Sequence, residues 1–417
     1  MTEINGGVCA PKGFLAGGIR CGIKQGLNSN TSQKKDLALI YSQNYCSAAA
    51  MFTSNKVKAA SVILSQENIA DGKLRAVIAN SGNANACTGQ EGLNAAKRMA
   101  KLAADVVLVS PSEVAVASTG VIGVPLPIEK IEENIDALKA SLRSDLIGND
   151  SALEAIMTTD TRKKEVAVEI EIGGKTVRIG AITKGSGMIH PNMEAVKHAT
   201  MLSFITTDAA IIPSALDASL KRATARSFNR LTVDGDTSTN DMVLIMANGE
   251  AGNSSLTIEN PEYEKFCEAL EYVCVSLTRQ MARDGEGATK LVTITVKGAL
   301  CEDTAEKLAK SVASSSLVKA ACFGADANWG RVLCAMGYSG ADFTPEKTTV
   351  SFKSKNGTID VFADGKPIAF CEKKAKEILL QEEIEILISL KEGNGKASVW
   401  GCDLTYDYVK INGDYRS

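Results

Sequence analysis

A chain of 417 residues, 45% hydrophobic and 23% charged, can bury a large core or divide it between lobes. Lys and Arg number 46 against 49 Asp and Glu, with a net charge of −3, no basic block and 5% aromatic residues. That balance supplies neither a field that tracks phosphates nor a stacking surface, so nucleic acid is excluded as a partner and small metabolites are favoured.

At the amino end, Met1 to Gly7 carry no basic stretch followed by an apolar core, and no apolar run reaches membrane length. A cytoplasmic protein with no membrane partner is expected. Eleven cysteines, scattered without a CxxC pair, argue against a zinc ribbon or a disulfide scaffold and for a reducing compartment. After Pro127, Ile131, Ile135, Leu138 and Leu142 recur at helical spacing. Val166, Val168, Ile170 and Ile172 then alternate with polar residues up to Gly173-Gly174, and Val177 and Ile179 resume the alternation, which predicts a tight β-hairpin. His190 and His198 are read as loop histidines, too few for a metal site and poorly placed for a dispersed Ser-His-Asp triad. After Pro261, Tyr263, Phe266, Leu270, Val273, Leu277 and Met281 mark a second amphipathic helix, and Val292, Ile294 and Val296 mark a strand. Ile384, Ile386, Ile388 and Leu390, followed by Gly393-Asn394-Gly395 and a strand around Val399-Trp400-Gly401, predict a second hairpin. Hairpins mixed with long helices place the fold in the α+β class.

Several blocks stand out between these elements: Ala79-Asn80-Ser81-Gly82-Asn83-Ala84-Asn85-Ala86-Cys87-Thr88-Gly89, Ser118-Thr119-Gly120-Val121-Ile122-Gly123 and Met157-Thr158-Thr159-Asp160-Thr161. Further on come the stretches from Lys184 to Asn192, Ala199 to Asp208, Thr232 to Asp241, Arg283 to Lys290 and Gly324 to Arg331, and the stretch from Asp403 to Ser417 is the last. Together, from Gly6 to Ser417, they resemble the ornithine acetyltransferases, also called glutamate N-acetyltransferases, of arginine biosynthesis.

The resemblance implies a layered α/β/β/α sandwich with mixed sheets and self-cleavage between Ala199 and Thr200. No composition break marks a domain boundary, so the cut supplies the division: 1–199 carries oxyanion and substrate residues, and 200–417 begins with the nucleophile. Cleavage gives Thr200 a hydroxyl and an α-amine on one residue, and an amine with a reference pKa of about 7.7–8.0 can take the hydroxyl proton near neutral pH. Thr119 and Gly120 match oxyanion positions, where fixed donors meet the charge built on the acyl oxygen. Thr158 (or its neighbour Thr159), Lys184, Thr200, Glu286, Asn412 and Ser417 match substrate contacts. Lys184 would anchor the shared carboxylate and Glu286 would pair with ornithine's side-chain ammonium. The implied reaction is ping-pong transfer of acetyl from N-acetylornithine to glutamate, with acetyl-CoA as a further donor in some relatives, no metal or bound cofactor, and an α2β2 assembly of the two fragments.

One departure is a five-residue insert, Glu194-Ala195-Val196-Lys197-His198, ahead of the scissile bond. A longer approach can relax the reactive geometry, so an unprocessed, non-catalytic homologue is a competing expectation. A second competitor begins at Leu231-Thr232-Val233-Asp234-Gly235-Asp236: a strand running into Asp-x-Asp suits a magnesium-dependent phosphohydrolase, with Asp234 as nucleophile and Asp236 as acid or base. The plainer reading of these aspartates is a capped turn.

Overall fold

Gly173 (φ 56°) and Gly174 (φ 71°) both take the left-handed conformation that a two-residue type I′ turn requires. The flanking segments pair antiparallel with Ile172 opposite Lys175, as the alternation predicts. The computed structural model describes residues 1–24, 34–53, 55–190 and 201–414. Its first part runs β1 (Thr2–Ile4), β2 (Phe14–Ile19), β3 (Leu37–Phe52), α1 (Ala60–Asn68), β4 (Lys73–Asn83), α2 (Gly89–Val107), β5 (Val114–Val121), α3 (Ile128–Ala140) and α4 (Leu146–Ile156). The hairpin strands β6 (Lys164–Ile172) and β7 (Lys175–Lys184) follow, then β8 (Leu202–Thr207), α5 (Pro213–Arg226), β9 (Leu231–Thr232), β10 (Met242–Ala247) and α6 (Tyr263–Arg283). The last part comprises β11 (Leu291–Ala299), α7 (Glu302–Ser314), α8 (Ser316–Phe323), α9 (Trp329–Gly337), β12 (Thr349–Ser354), β13 (Gly357–Ala363), β14 (Lys366–Pro367), α10 (Glu372–Leu379), β15 (Glu383–Ser389), β16 (Gly395–Cys402) and α11 (Tyr406–Asp414).

The strands form two mixed sheets with helices layered against them, the α+β architecture expected. The first sheet has the order β1-β6-β7-β8-β10-β3-β4-β5, with β2 also paired to β3. Strands β8 and β10, both beyond residue 200, are therefore inserted between β7 and β3. Their side chains are buried along their whole length, the pattern of central strands covered on both faces. The second sheet has the order β14-β13-β12-β15-β11-β16-β9.

The second hairpin is a correction. Both strands exist, but β11 lies between them, parallel to β15 and antiparallel to β16. Glycine-rich turns join strands that are close in sequence, yet an apolar strand from elsewhere in the chain can take the place between them, and alternation cannot show which neighbour wins.

The helix after Pro261 is α6, and all six of its predicted stripe residues are buried. It packs on β6 and β7 of one sheet and on β11 and β16 of the other, sharing a core with Leu291 and Trp400. Burying each such leucine or phenylalanine contributes about 1.5–3 kcal/mol, so this helix holds the two sheets in a set relation. In α3, Ile131, Ile135 and Leu138 are buried, whereas Leu142 lies past the helix end and is half-buried. The end of α6 delivers Asp284 to Glu286, and the ends of β5 and β7 deliver Thr119-Gly120 and Lys184, to one region.

Candidate active site

A cavity of about 160 Å³ opens where these ends meet, and Thr119, Gly120, Thr158, Thr159, Lys184, Glu286 and Asn412 all line it. Larger surface hollows exist, but none gathers these residues. Residues from sequence positions 119 to 412 reach one cavity, as the resemblance implies. Ala199, Thr200, Ser417, His198 and the 194–198 insert lie outside the described residues.

Thr119 and Gly120 stand at the end of β5, where β4 runs parallel beside it. Gly120 has φ 134°, and a Cβ there would meet the backbone carbon of Gly82 at 2.4 Å and the nitrogen of Asn83 at 2.6 Å. Only glycine lets the two strands approach so closely. Asn240 secures the same strand end, its side-chain amide donating to the carbonyls of Ala84 (2.6 Å) and Ser118 (2.7 Å).

Lys184 is only 3% exposed, not the solvated surface lysine that its sequence context alone would suggest. Its Nζ donates to the Thr119 hydroxyl oxygen at 3.2 Å. A threonine that accepts from the ammonium keeps its own proton free to donate into the cavity, the role an oxyanion position requires. Burial pushes the Lys184 ammonium below the ordinary lysine value and Lys164 adds to this, while Asp160, Asp241 and Glu286 pull the other way. Lys184 lies opposite Leu202 at the start of β8, and Leu202 lies opposite Met242. The carbonyl of Met201, the first described residue after the 191–200 segment, accepts from the Met242 N–H at 2.8 Å.

Glu286 follows the end of α6, and its N–H donates to the carbonyl of Ser186 at 2.9 Å. Asn412 donates to Glu286 Oε2 at 2.9 Å, so α11 folds back over the site where a fraying terminus is the usual expectation. Gly187 leaves room for this carboxylate: a Cβ there would sit 2.3 Å from the Glu286 carboxyl group. Both Thr158 and Thr159 face the cavity. Thr158 is also fixed through its N–H, which donates to Asp160 Oδ2 at 2.9 Å.

Asp234 takes the plainer of its two roles. Its carboxylate accepts the N–H groups of Met188 (2.6 Å), Ile189 (2.9 Å) and Asp236 (3.2 Å). It thereby holds Met188 in a left-handed conformation (φ 56°) at the cavity rim. Asp236 is exposed. A carboxylate committed to three backbone donors is a turn cap rather than a nucleophile, which corrects the phosphohydrolase reading. His190 is a loop residue whose Nδ1 pairs with the Thr232 hydroxyl at 2.9 Å.

Sequence reasoning assigned no role to Asn240, Gly187, Asp160, Lys164 or Asp284. Asp160 and Asp284 lie inside the blocks that carried the resemblance, two residues from a matched contact on either side, and that proximity was the available signal.

The ArgJ family model matches residues 15–417. The arginine biosynthesis bifunctional protein ArgJ of Symbiobacterium thermophilum is 51% identical over 417 residues, covering 100% of both chains. The protein of the same name from Caldanaerobacter subterraneus is 48% identical, again over 100% of both. The crystal structure of arginine biosynthesis bifunctional protein ArgJ from Bacillus halodurans matches with TM-score 0.50 and 47% identity, covering 52% of this chain and 100% of that one.

Proposed function

This chain belongs to the ArgJ family, and from that membership we propose that the cavity between Thr119 and Glu286 is where acetyl passes from N-acetylornithine to glutamate. The protein is an acetyltransferase of arginine biosynthesis. The observation that carries the site reading is the meeting of Thr119, Gly120, Thr158, Lys184, Glu286 and Asn412 around a single small cavity.

In this reading, cleavage before Thr200 frees an α-amine that takes the proton from the residue's own hydroxyl. The Oγ attacks the acetyl carbonyl of N-acetylornithine, and the oxyanion is met by the Thr119 hydroxyl and the Gly120 N–H. Collapse breaks the amide C–N bond. The α-amine of ornithine leaves with the proton that the Thr200 amine returns, and an acetyl ester remains on Thr200. Glutamate's amine then attacks that ester and restores the threonine, so one amide is exchanged for another. Lys184 pairs with the carboxylate common to both amino acids, and Glu286, steadied by Asn412, pairs with the side-chain ammonium of ornithine. Ser417 and an acetyl-CoA donor belong to the same reading.

The size of the solved relative supports the division into fragments. Its whole chain corresponds to 52% of this one, and residues 200–417 amount to 218 of 417, also 52%. The strand order supports it too, since β8 and β10 of the later fragment complete a sheet begun by the earlier one. The two fragments then form an α2β2 assembly. All eleven cysteines are free thiols, which suits a cytoplasmic setting, and no helix among the described residues is long and apolar enough to cross a membrane.

Intact-mass measurement of the purified protein tests the reading. Cleavage gives pieces of roughly 21 and 23 kDa, from 44.0 kDa divided by chain length. Thr200→Ala stays one chain and transfers no acetyl. A wild-type protein that remains whole and inert supports the non-catalytic alternative instead.

A further inference from the structure

Behind the cavity wall, β6 carries a lysine with no access to solvent. Lys164 has 1% of its side chain exposed, and its Nζ donates to Asp160 Oδ1 at 2.6 Å and to Asp284 Oδ2. Both carboxylates are equally shut away, at 0% and 3%. Each of them holds a different wall of the cavity.

Asp160 accepts the N–H of Thr158 at 2.9 Å and that of Gly185, the residue after Lys184, at 2.8 Å. Asp284 accepts the N–H of Thr161 at 3.1 Å together with its hydroxyl, and takes the Ser186 hydroxyl at 3.5 Å. The Ser186 carbonyl accepts the N–H of Glu286, two residues beyond Asp284. Thr158 and Lys184 thus depend on one carboxylate and Glu286 on the other, and a single ammonium lies between them.

A buried ion pair gives little stability over well-packed apolar residues, because desolvation offsets most of the attraction. What it does give is direction, since each carboxylate oxygen is committed to named donors in a water-excluded space. Here those donors are the N–H of Thr158, which lines the cavity, the N–H of Gly185 next to Lys184, and the groups of Thr161 and Ser186 that flank the two walls. The lysine also joins Asp160, on the 1–199 side of the cut, to Asp284 on the 200–417 side.

We infer that Lys164 is a positioning residue: it sets the spacing between the Thr158–Lys184 wall and the Glu286 wall, and through that spacing the affinity for a diamino-acid substrate. The inference rests on the reading of this cavity as the ornithine site. Thr119 joins this cluster through Lys184 rather than directly, so affinity moves more than turnover.

The test compares wild type, Lys164→Met and Asp284→Asn in the mature protein. Ornithine binding is measured by titration calorimetry, kcat and KM by acetyl transfer, and folding by circular dichroism. Both variants weaken ornithine binding and raise KM by 10-fold or more, with kcat held within about threefold. The double variant loses less than the product of the two single losses, because both act on one unit. Binding within twofold of wild type in either folded variant overturns the inference, as does a fall in kcat at unchanged KM. Failure of both variants to fold makes the cluster a stability element and equally overturns it. A wild-type protein that binds no ornithine sinks the substrate reading itself, a result distinguishable from failure of the variants alone.

Discussion

At the scale of single residues, the site depends on where protons sit. The Thr119 hydroxyl accepts from Lys184, which leaves its proton free to donate into the cavity. On the proposed oxyanion role of Thr119, Thr119→Ala lowers kcat by about 10²–10³-fold while the protein stays folded. Steady-state kinetics on the purified variant checks this, and a kcat within fivefold of wild type would remove Thr119 from the chemistry. Lys184 makes a second expectation. In the proposed site its ammonium form binds the carboxylate, and burial lowers its titration from the ordinary 10.5. Ornithine affinity therefore declines as pH rises, and the decline begins lower than a solvated lysine would give. Calorimetric titration between neutral and strongly alkaline pH, corrected for the titration of ornithine's own amines, reads this. Affinity that stays flat until a solvated lysine would titrate contradicts it.

At the scale of elements, the loop after β7 is shaped to leave room for a carboxylate delivered by the end of α6. Gly187 has ordinary backbone geometry, and the group its missing Cβ would meet is the far end of the Glu286 side chain. A flexible tip can move aside, so Gly187→Ala keeps the fold and displaces Glu286 from its place beside Asn412. KM for N-acetylornithine rises about tenfold with little change in melting temperature, as expected when ground-state binding is what is lost. A lowered melting temperature with KM unchanged would mean that the loop, not the carboxylate, had yielded. Gly120 is the opposite case: its Cβ would meet backbone on a neighbouring strand, which cannot move aside.

At the scale of the whole molecule, a cut at residue 200 would run through a single sheet. Strand β8 pairs with β7 on one side and β10 on the other, and β10 pairs with β3. Separating the fragments would expose these fully buried strands and leave their backbone groups unpaired. The two pieces therefore co-elute in size-exclusion chromatography and separate only under denaturing conditions. Mature fragments that part in plain buffer would show that the shared sheet does not hold them.

By itself, the sequence determined the local elements: the Gly173-Gly174 hairpin, the stripe of α6 and the strand at Val292 to Val296. In each, the periodicity of side chains along a few turns or pleats is the cause of the structure. The blocks around Thr119, Lys184 and Glu286 made the residues facing the cavity legible only through the family resemblance they carry, since from the residues alone Ser118-Thr119-Gly120 reads as a turn and Lys184 as a solvated lysine. Only the tertiary structure decided that β11 separates the strands of the second predicted hairpin, that Lys184 is buried, that Asp234 caps a turn, and that Lys164 joins two carboxylates. Each of these depends on which segment arrives beside another across tens of residues to more than a hundred. Strand alternation and short motifs specify what a residue can pair with, whereas packing of the whole chain selects the partner it receives.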